Sequence, residues 1–228
     1  MCELYERAGQ LAEQGVHVVS TDEKTGMQAL ERLHPDIPMG PGRVQRREFE
    51  YVRHGTVCLI ANLEVWCGQV IAPTVGPTRT EADFQAHAEQ TVNTDPLAGW
   101  VFVVDNLDTH QSESLVRYVA LACGIEGDLG EKGKSGVLKS KESRKAFLSD
   151  PSHRIRFAYT PRHCSWLNQI EIWFGVLSRK LLRRSSYASA EGLKEKVLAF
   201  IDYFNATMAK PIDWLYSPRP LFESASTG

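Results

Sequence analysis

Residues Gly99–His110 read GWVFVVDNLDTH, and the interpretation of this stretch decides the fold. Trp100 to Val104 is an unbroken apolar run of aromatic and β-branched residues. It is too short for a core helix and rich in strand formers, so it predicts a strand buried on both faces. The run stops on Asp105, with Asn106, Asp108, Thr109 and His110 close behind. Where helices cover both faces of a sheet, ligands bind in the crevice beyond the carboxyl ends of its strands. Polar residues crowded at that edge predict a site, although Asp105 alone could do no more than cap the next helix.

The surrounding chain alternates between the two kinds of element. Upstream, residues 3–14 have helical spacing, with Leu4, Ala8 and Leu11 on one stripe and Gly15 as a stop. Val16–Ser20 is a short β-rich run that ends in Thr21, Asp22, Glu23 and Lys24, and Met27–Leu33 reads as a partner strand. The segment 34–42 is broken by prolines and glycines, and a basic run, Arg43–Arg47, follows it. Thr56–Leu63 and Val65–Ala72 predict two tightly joined strands, and Thr80 caps a helix from Glu81 to Thr91. Downstream, Ser112–Cys123 is a helix with Ser112 or Ser114 as its cap. Residues 124–153 are rich in Gly, Ser and Lys, and Arg154–Tyr159 alternates like a strand. Trp166–Leu182 predicts a long amphipathic helix ending in Arg183 and Arg184, and Ala190–Met208 predicts a last one. The order implies an α/β fold, a mixed sheet with helices on both faces.

Composition narrows the function classes. With 228 residues, 43% of them hydrophobic and 24% charged, the chain can bury one sizeable core. No apolar run approaches the roughly 20 residues of a membrane span, and Glu3 and Glu6 are unlike a signal peptide, so no membrane partner is expected. Cys2, Cys58, Cys67, Cys123 and Cys164 are odd in number and form no CxxC pair, which predicts reduced thiols in a cytoplasmic compartment. A net charge of -2 excludes a wholly basic nucleic-acid binder but hides local asymmetry. Gly133-Lys134-Ser135 ends like a phosphate-binding loop, but Asp128 stands where such a loop needs its first glycine. A basic surface loop is the better reading there.

Three carboxylates carry the chemistry. Asp22 and Asp105 each end a β-rich run, and Glu171 lies beside the apolar stripe of Leu167, Ile170 and Phe174. A carboxylate turned toward a core must be paired or bind a cation, and three gathered together repel one another unless a divalent metal neutralises them. Neutralising Asp105 is accordingly expected to stabilise the metal-free protein. Oxygen-only donors favour Mg²⁺ or Mn²⁺, and two such ions about 4 Å apart can drive phosphodiester cleavage.

Asp22 in VVSTDEKTG, Asp105 in VVDNLDTH and Glu171 in TPRHCSWLNQIEIWFGVLSRKL resemble the three acids of DDE transposases, most closely the mariner-like bacterial insertion-sequence type. The resemblance runs from about Val16 to Arg184. It implies a ribonuclease H-like fold with a mixed five-stranded sheet flanked by helices. It also implies two Mg²⁺ or Mn²⁺ ions held by Asp22, Asp105 and Glu171, with Asn106, His110 and Asn168 lining the same pocket. The implied reaction is DNA strand cleavage followed by 3′-hydroxyl strand transfer. The implied partners are double-stranded DNA, both element ends and target, and a second copy of the chain in a homodimer assembled on that DNA. The implied location is the bacterial cytoplasm, at the nucleoid.

Two departures from that pattern shape the remaining expectations. Residues 124–153 lengthen the spacing between Asp105 and Glu171, and they carry Lys132, Lys134, Lys139, Lys141, Arg144 and Lys145. This inserted loop is expected to grip phosphate backbone, together with Arg162, His163, Lys180, Arg183 and Arg184. The family normally carries helix-turn-helix segments upstream, and residues 1–15 supply none. Three expectations follow: the catalytic part of a larger protein, a second-frame product, or a truncated remnant. The expected organisation is a helix or linker over 1–15, a ribonuclease H-like catalytic domain over 16–210 and an extended tail over 211–228. Two other functions stay open: a ribonuclease H-like nuclease without strand transfer, and a non-catalytic DNA-binding remnant.

Overall fold

A computed structural model describes residues 1–34, 37–44, 46 and 49–214. The elements run α1 (Cys2–Glu6), α2 (Ala8–Glu13), β1 (Val16–Arg32), β2 (Tyr51–Glu64), β3 (Val70–Gly76), α3 (Glu81–Val92) and β4 (Gly99–Val104). They continue with α4 (Glu113–Ala122), α5 (Lys141–Leu148), β5 (Ile155–Tyr159), α6 (Ile170–Leu177) and α7 (Ala190–Thr207). The five strands lie in the order β3-β2-β1-β4-β5. The β1–β2 and β2–β3 pairs are antiparallel, whereas β1–β4 and β4–β5 are parallel. This is the mixed sheet that the element order predicts, in the five-stranded, ribonuclease H-like arrangement that the resemblance implies.

Side-chain alternation divides the core between the two faces of the sheet. Trp100, Phe102 and Val104 of β4 join Val19, Ile60 and Phe157 under α3, α4 and α5. The intervening Val101 and Val103 join Val18 and Val65 under α1 and α2, which contribute Tyr5, Ala8 and Leu11. On that same face Leu59, Ala61 and Leu63 of β2 lie under α6 and α7. Every residue from Trp100 through Val104 is buried, which is why the run carries no polar side chain until it leaves the sheet.

Several expectations change, and the strand expected at Val65–Ala72 starts only at Val70. Val16–Ser20 and Met27–Leu33 are halves of one 17-residue strand and do not pair with each other. Gly26, at φ +66°, reads as a turn but absorbs a register shift between Lys24 and Met27, and β1 continues along an equally extended β2. Residues 3–14 break at Arg7 into two short helices. Trp166–Leu182 is not one regular helix: α6 starts only at Ile170 and passes into a wider turn at Ser178–Leu182. Residues 124–153 are not a free loop, because Leu138 and Leu148 are fully buried in the α3–α4–α5 layer and Ser140 caps α5. Their few apolar residues are too irregularly spaced to show a period. Part of the Arg43–Arg47 run and the tail from 215 onward lie outside the described residues.

Candidate active site

β1 and β4 run parallel with Ser20 opposite Val103, and two residues further along each chain come Asp22 and Asp105. β4 stops at Val104, whereas β1 continues because β2 still pairs with it, Asp22 lying opposite Ala61. Asp22 is therefore a mid-strand residue, and the acidic pair sits where the parallel half of the sheet opens. Asp22 is buried, with Oδ1 accepting from the Glu23 N–H at 2.8 Å. Burial, reinforced by the charges of Asp105 and Glu23, pushes its pKa up to about 7.

Asp105 has the opposite balance. Its Oδ1 accepts from His110 Nδ1 at 2.8 Å and from the Leu107 N–H at 2.8 Å. Burial works to raise its pKa, but the His110 hydrogen bond, the Leu107 N–H and the positive charges of His110 and Arg79 more than offset this, and it falls below the usual value. His110 is fully buried. Desolvation opposes its charge, yet hydrogen bonds to Asp105 and Glu23 raise its pKa to about 9. Its Nε2 donates to Glu23 Oε1 at 3.2 Å, and the Glu23 side chain is only 1% exposed. The strain of gathered carboxylates thus falls on Asp22. The expectation that neutralising Asp105 stabilises the metal-free protein passes to Asp22, since Asp105 is needed by a buried cation.

The third acid arrives on α6. Asn168, fully buried, donates from Nδ2 to the Thr21 carbonyl at 2.9 Å and to Asp22 Oδ2 at 3.2 Å, and its Oδ1 accepts from Ser20 Oγ. Ser20 Oγ also accepts the Ile170 N–H at 2.9 Å. These bonds hold Asn168 extended (ψ 107°), which delays the helix to Ile170 and staples its first turn to β1 beside Asp22. Glu171 follows at once, with its N–H bonded to the Asn168 carbonyl. Its side chain is exposed and does not turn into the stripe of Leu167, Ile170 and Phe174. The structure therefore brings Asp22 and Asp105 together and leaves Glu171 facing solvent beside them. Among the described residues no three His, Cys, Asp or Glu side chains close around one point. The donors available are all oxygens, two of them in a repelling pair, which suits a hard divalent cation.

The profile of the DDE superfamily endonucleases matches residues 17–194, from the start of β1 into α7. The chain belongs to that family. No curated protein sequence matches it. Among solved structures it is similar to the Mos1 mariner paired end complex with Mn, at 12% identity and a TM-score of 0.51, over 88% of this chain and 55% of that one. A Mos1 transposase paired-end complex with the left transposon end gives 12% identity, a TM-score of 0.49 and the same coverage. The chain spans about half the length of the transposase it resembles, and the first likeness supports the fold.

Other residues of this DDE endonuclease sort by position. Asn106 spans the strand ends: its Nδ2 donates to the Thr160 carbonyl at 2.7 Å and its Oδ1 accepts from Lys145 Nζ at 2.6 Å. Lys145 also lies over the Tyr159 ring at 4.5 Å. Asn106, Lys141, Lys145 and Arg162 line a cleft of about 580 Å³ next to Asp105, with Asp108 and Glu142 among its walls. Lys132 and Lys134 are exposed beside Glu81 and Glu131, Lys139 is exposed, and Lys141 pairs with Asp108 at 2.6 Å. Arg144 is the exception. It is buried, donating to the Gln111 carbonyl at 2.6 Å and the Leu138 carbonyl at 3.2 Å, so it holds the insertion to the core and cannot grip phosphate. Arg162 and His163 are exposed in the turn after β5. Lys180, Arg183 and Arg184 are exposed beyond α6, in and just after the wider turn that follows it, roughly 12 Å or more along the helix from Glu171.

Sequence reasoning missed Glu23, Ser20 and Thr21. Glu23 had a usable signal: next to Asp22 in a strand it must face the opposite side, where Val19 enters the apolar layer. A carboxylate on that face needs a partner. The hydroxyls had none, because Thr21 Oγ1 bonds Asn62 Oδ1 at 2.6 Å across 41 residues of sequence.

Proposed function

We propose that this chain is the catalytic domain, over residues 16–210, of a mariner-like DNA transposase that cuts DNA at element ends and joins the freed end to target DNA. The observation that carries this reading is the Asp22–Asp105 pair on adjacent parallel strands, with the first turn of the Glu171 helix bonded to β1 beside it. Membership of the DDE endonucleases supports it. In cleavage a water oxygen attacks the phosphodiester phosphorus, the P–O3′ bond breaks, and a 3′-hydroxyl and a 5′-phosphate result. In strand transfer that 3′-hydroxyl attacks a target phosphodiester and displaces its 3′-oxygen.

Asp22, Asp105 and Glu171 would hold the cations, and the exposed Glu171 side chain would have to turn in from solvent to complete the set. Two bound Mg²⁺ or Mn²⁺ ions supply activation of the attacking oxygen and stabilisation of the leaving one. Asn168 orients Asp22, His110 orients Asp105, and Asn106 ties the β4 and β5 ends together at the edge of the site. The exposed side chains of Lys132, Lys134, Lys139, Lys141, Arg162, His163, Lys180, Arg183 and Arg184 contact duplex phosphates. Two copies assembling on paired ends complete the reaction unit.

The test uses the full chain, duplex DNA taken from the flanks of its reading frame, and Mg²⁺ or Mn²⁺. Metal-dependent nicking that disappears in Asp105→Asn, together with joined products, supports the reading. Nicking without joining points to a nuclease without strand transfer, and no metal-dependent nicking points to a non-catalytic remnant. Either result overturns it.

A further inference from the structure

His110 touches both acidic segments, and three features fix it. Its ring packs on Phe84 of α3 at 4.2 Å, its carbonyl accepts from the Tyr159 hydroxyl at 2.7 Å, and its N–H is bonded to the Leu107 carbonyl. One ring nitrogen meets Asp105 Oδ1 and the other meets Glu23 Oε1, both His110 and the Glu23 side chain being closed to solvent. Asp105 is different: its side chain is 34% exposed, and both donors that hold it converge on the same oxygen. Oδ1 is thereby committed to protein, and Oδ2 is the oxygen presented outward.

We infer that Glu23, acting through His110, is a positioning residue that fixes the Asp105 carboxylate with Oδ2 directed at the cation. A ligand carboxylate on a strand end has two rotatable bonds and two equivalent oxygens. An outer group that pins one oxygen removes the alternatives before the cation arrives, and loss of such a group typically lowers metal affinity 10–100-fold. Glu23 follows Asp22 directly in β1 and faces the opposite side of the sheet. The Asp22–Glu23 dipeptide therefore donates one acid to the cation and uses the other to aim Asp105. The inference rests on the cation-binding reading of Asp22 and Asp105.

The experiment is calorimetric titration of Mn²⁺ into the full-length protein, alongside thermal melting in EDTA. Glu23→Gln is expected to lower Mn²⁺ affinity roughly 10-fold or more. Because it removes one of the two carboxylates that meet the buried His110 ring, it can also unfold the protein. The deciding variant is therefore Glu23→Leu combined with His110→Phe, which replaces the buried pair by apolar groups of similar size and leaves only the part-exposed Asp105, still held by the Leu107 N–H, without its charged partner. Its Mn²⁺ affinity should stay at least 10-fold below wild type in a protein that still melts cooperatively. Wild-type affinity in that double variant overturns the inference while leaving the cation site standing. Absence of Mn²⁺ binding by the wild-type protein overturns the cation site and, with it, the role of Glu23.

Discussion

Asp22→Asn should stabilise the metal-free protein at neutral and alkaline pH, and by an amount that depends on pH. The folded-state pKa is about 7 against an ordinary 3.8, a difference of about three units. Each unit is worth 1.36 kcal/mol, so full ionisation of Asp22 costs the folded state roughly 4 kcal/mol. The raised acid contributes stability that is fully present below pH 3.8, where folded and unfolded chains are both protonated. That stability falls by about 1.36 kcal/mol per pH unit up to pH 7, and the curve is flat beyond. Asparagine abolishes this dependence. It also surrenders one of the two acceptor oxygens used by the Glu23 N–H and Asn168, a loss of about 1 kcal/mol that does not vary with pH. His110, raised to about 9, keeps its charge over the range in both proteins and drops out of the difference.

Urea denaturation in EDTA at pH 5 and pH 8 measures the effect directly. The stability of Asp22→Asn relative to wild type should rise by nearly 3 kcal/mol, about 1.36 times the two units between pH 5 and the folded pKa. Saturating Mg²⁺ should close the gap at pH 8, since a ligand at 100 times its dissociation constant returns about 2.7 kcal/mol to the protein that binds it. Parallel stability curves for the two proteins, differing by less than about 1 kcal/mol between pH 5 and pH 8, would show that Asp22 carries no such penalty.

Glu171→Gln should leave the circular dichroism and melting temperature unchanged, because the side chain is exposed and does not pack into the apolar stripe that holds α6. It should nonetheless weaken Mn²⁺ binding and abolish metal-dependent nicking; unaltered Mn²⁺ affinity returns Glu171 to the solvated face of the helix. Arg144→Met should cost about 3 kcal/mol or more in urea denaturation, since two buried carbonyls lose a charged donor. The slope of log DNA affinity against log salt should stay as in wild type for Arg144→Met. Replacing Lys132, Lys134 and Lys139 together by alanine should flatten it by up to about 0.9 for each phosphate that these side chains neutralise.

What the sequence made legible depended on whether the partner of a residue was local. The apolar run Trp100–Val104 and the Thr80 and Ser112 caps are decided within a few residues, and each appears where expected. β1 was misread because a glycine signals a turn locally, while its role as a bulge is set by β2, whose partner residues begin some 30 positions away. The start of α6 was misread for a similar reason. Leu167, Ile170 and Phe174 have helical spacing, but Asn168 is committed to Ser20, Thr21 and Asp22, almost 150 residues earlier. Arg144 looked like one more cation in a basic insertion, and only the Gln111 and Leu138 carbonyls reveal it as a buried tether.

The same distinction explains why the acids themselves were visible and their unequal burdens were not. Asp22 and Asp105 stand out because a carboxylate interrupts a β-rich stretch, which is a local fact. Which of the two bears the cost of their proximity depends on what each oxygen meets. Asp105 meets His110 and the Leu107 N–H, and its charge is stabilised. Asp22 meets one N–H and the weaker 3.2 Å donor of Asn168, in a buried position that faces Asp105. A cation placed between them would therefore relieve mainly Asp22 and would find Asp105 already oriented. The asymmetry gives the two acids different signatures: loss of Asp22 should be felt most in metal-free stability, and loss of the Glu23–His110 link most in metal affinity.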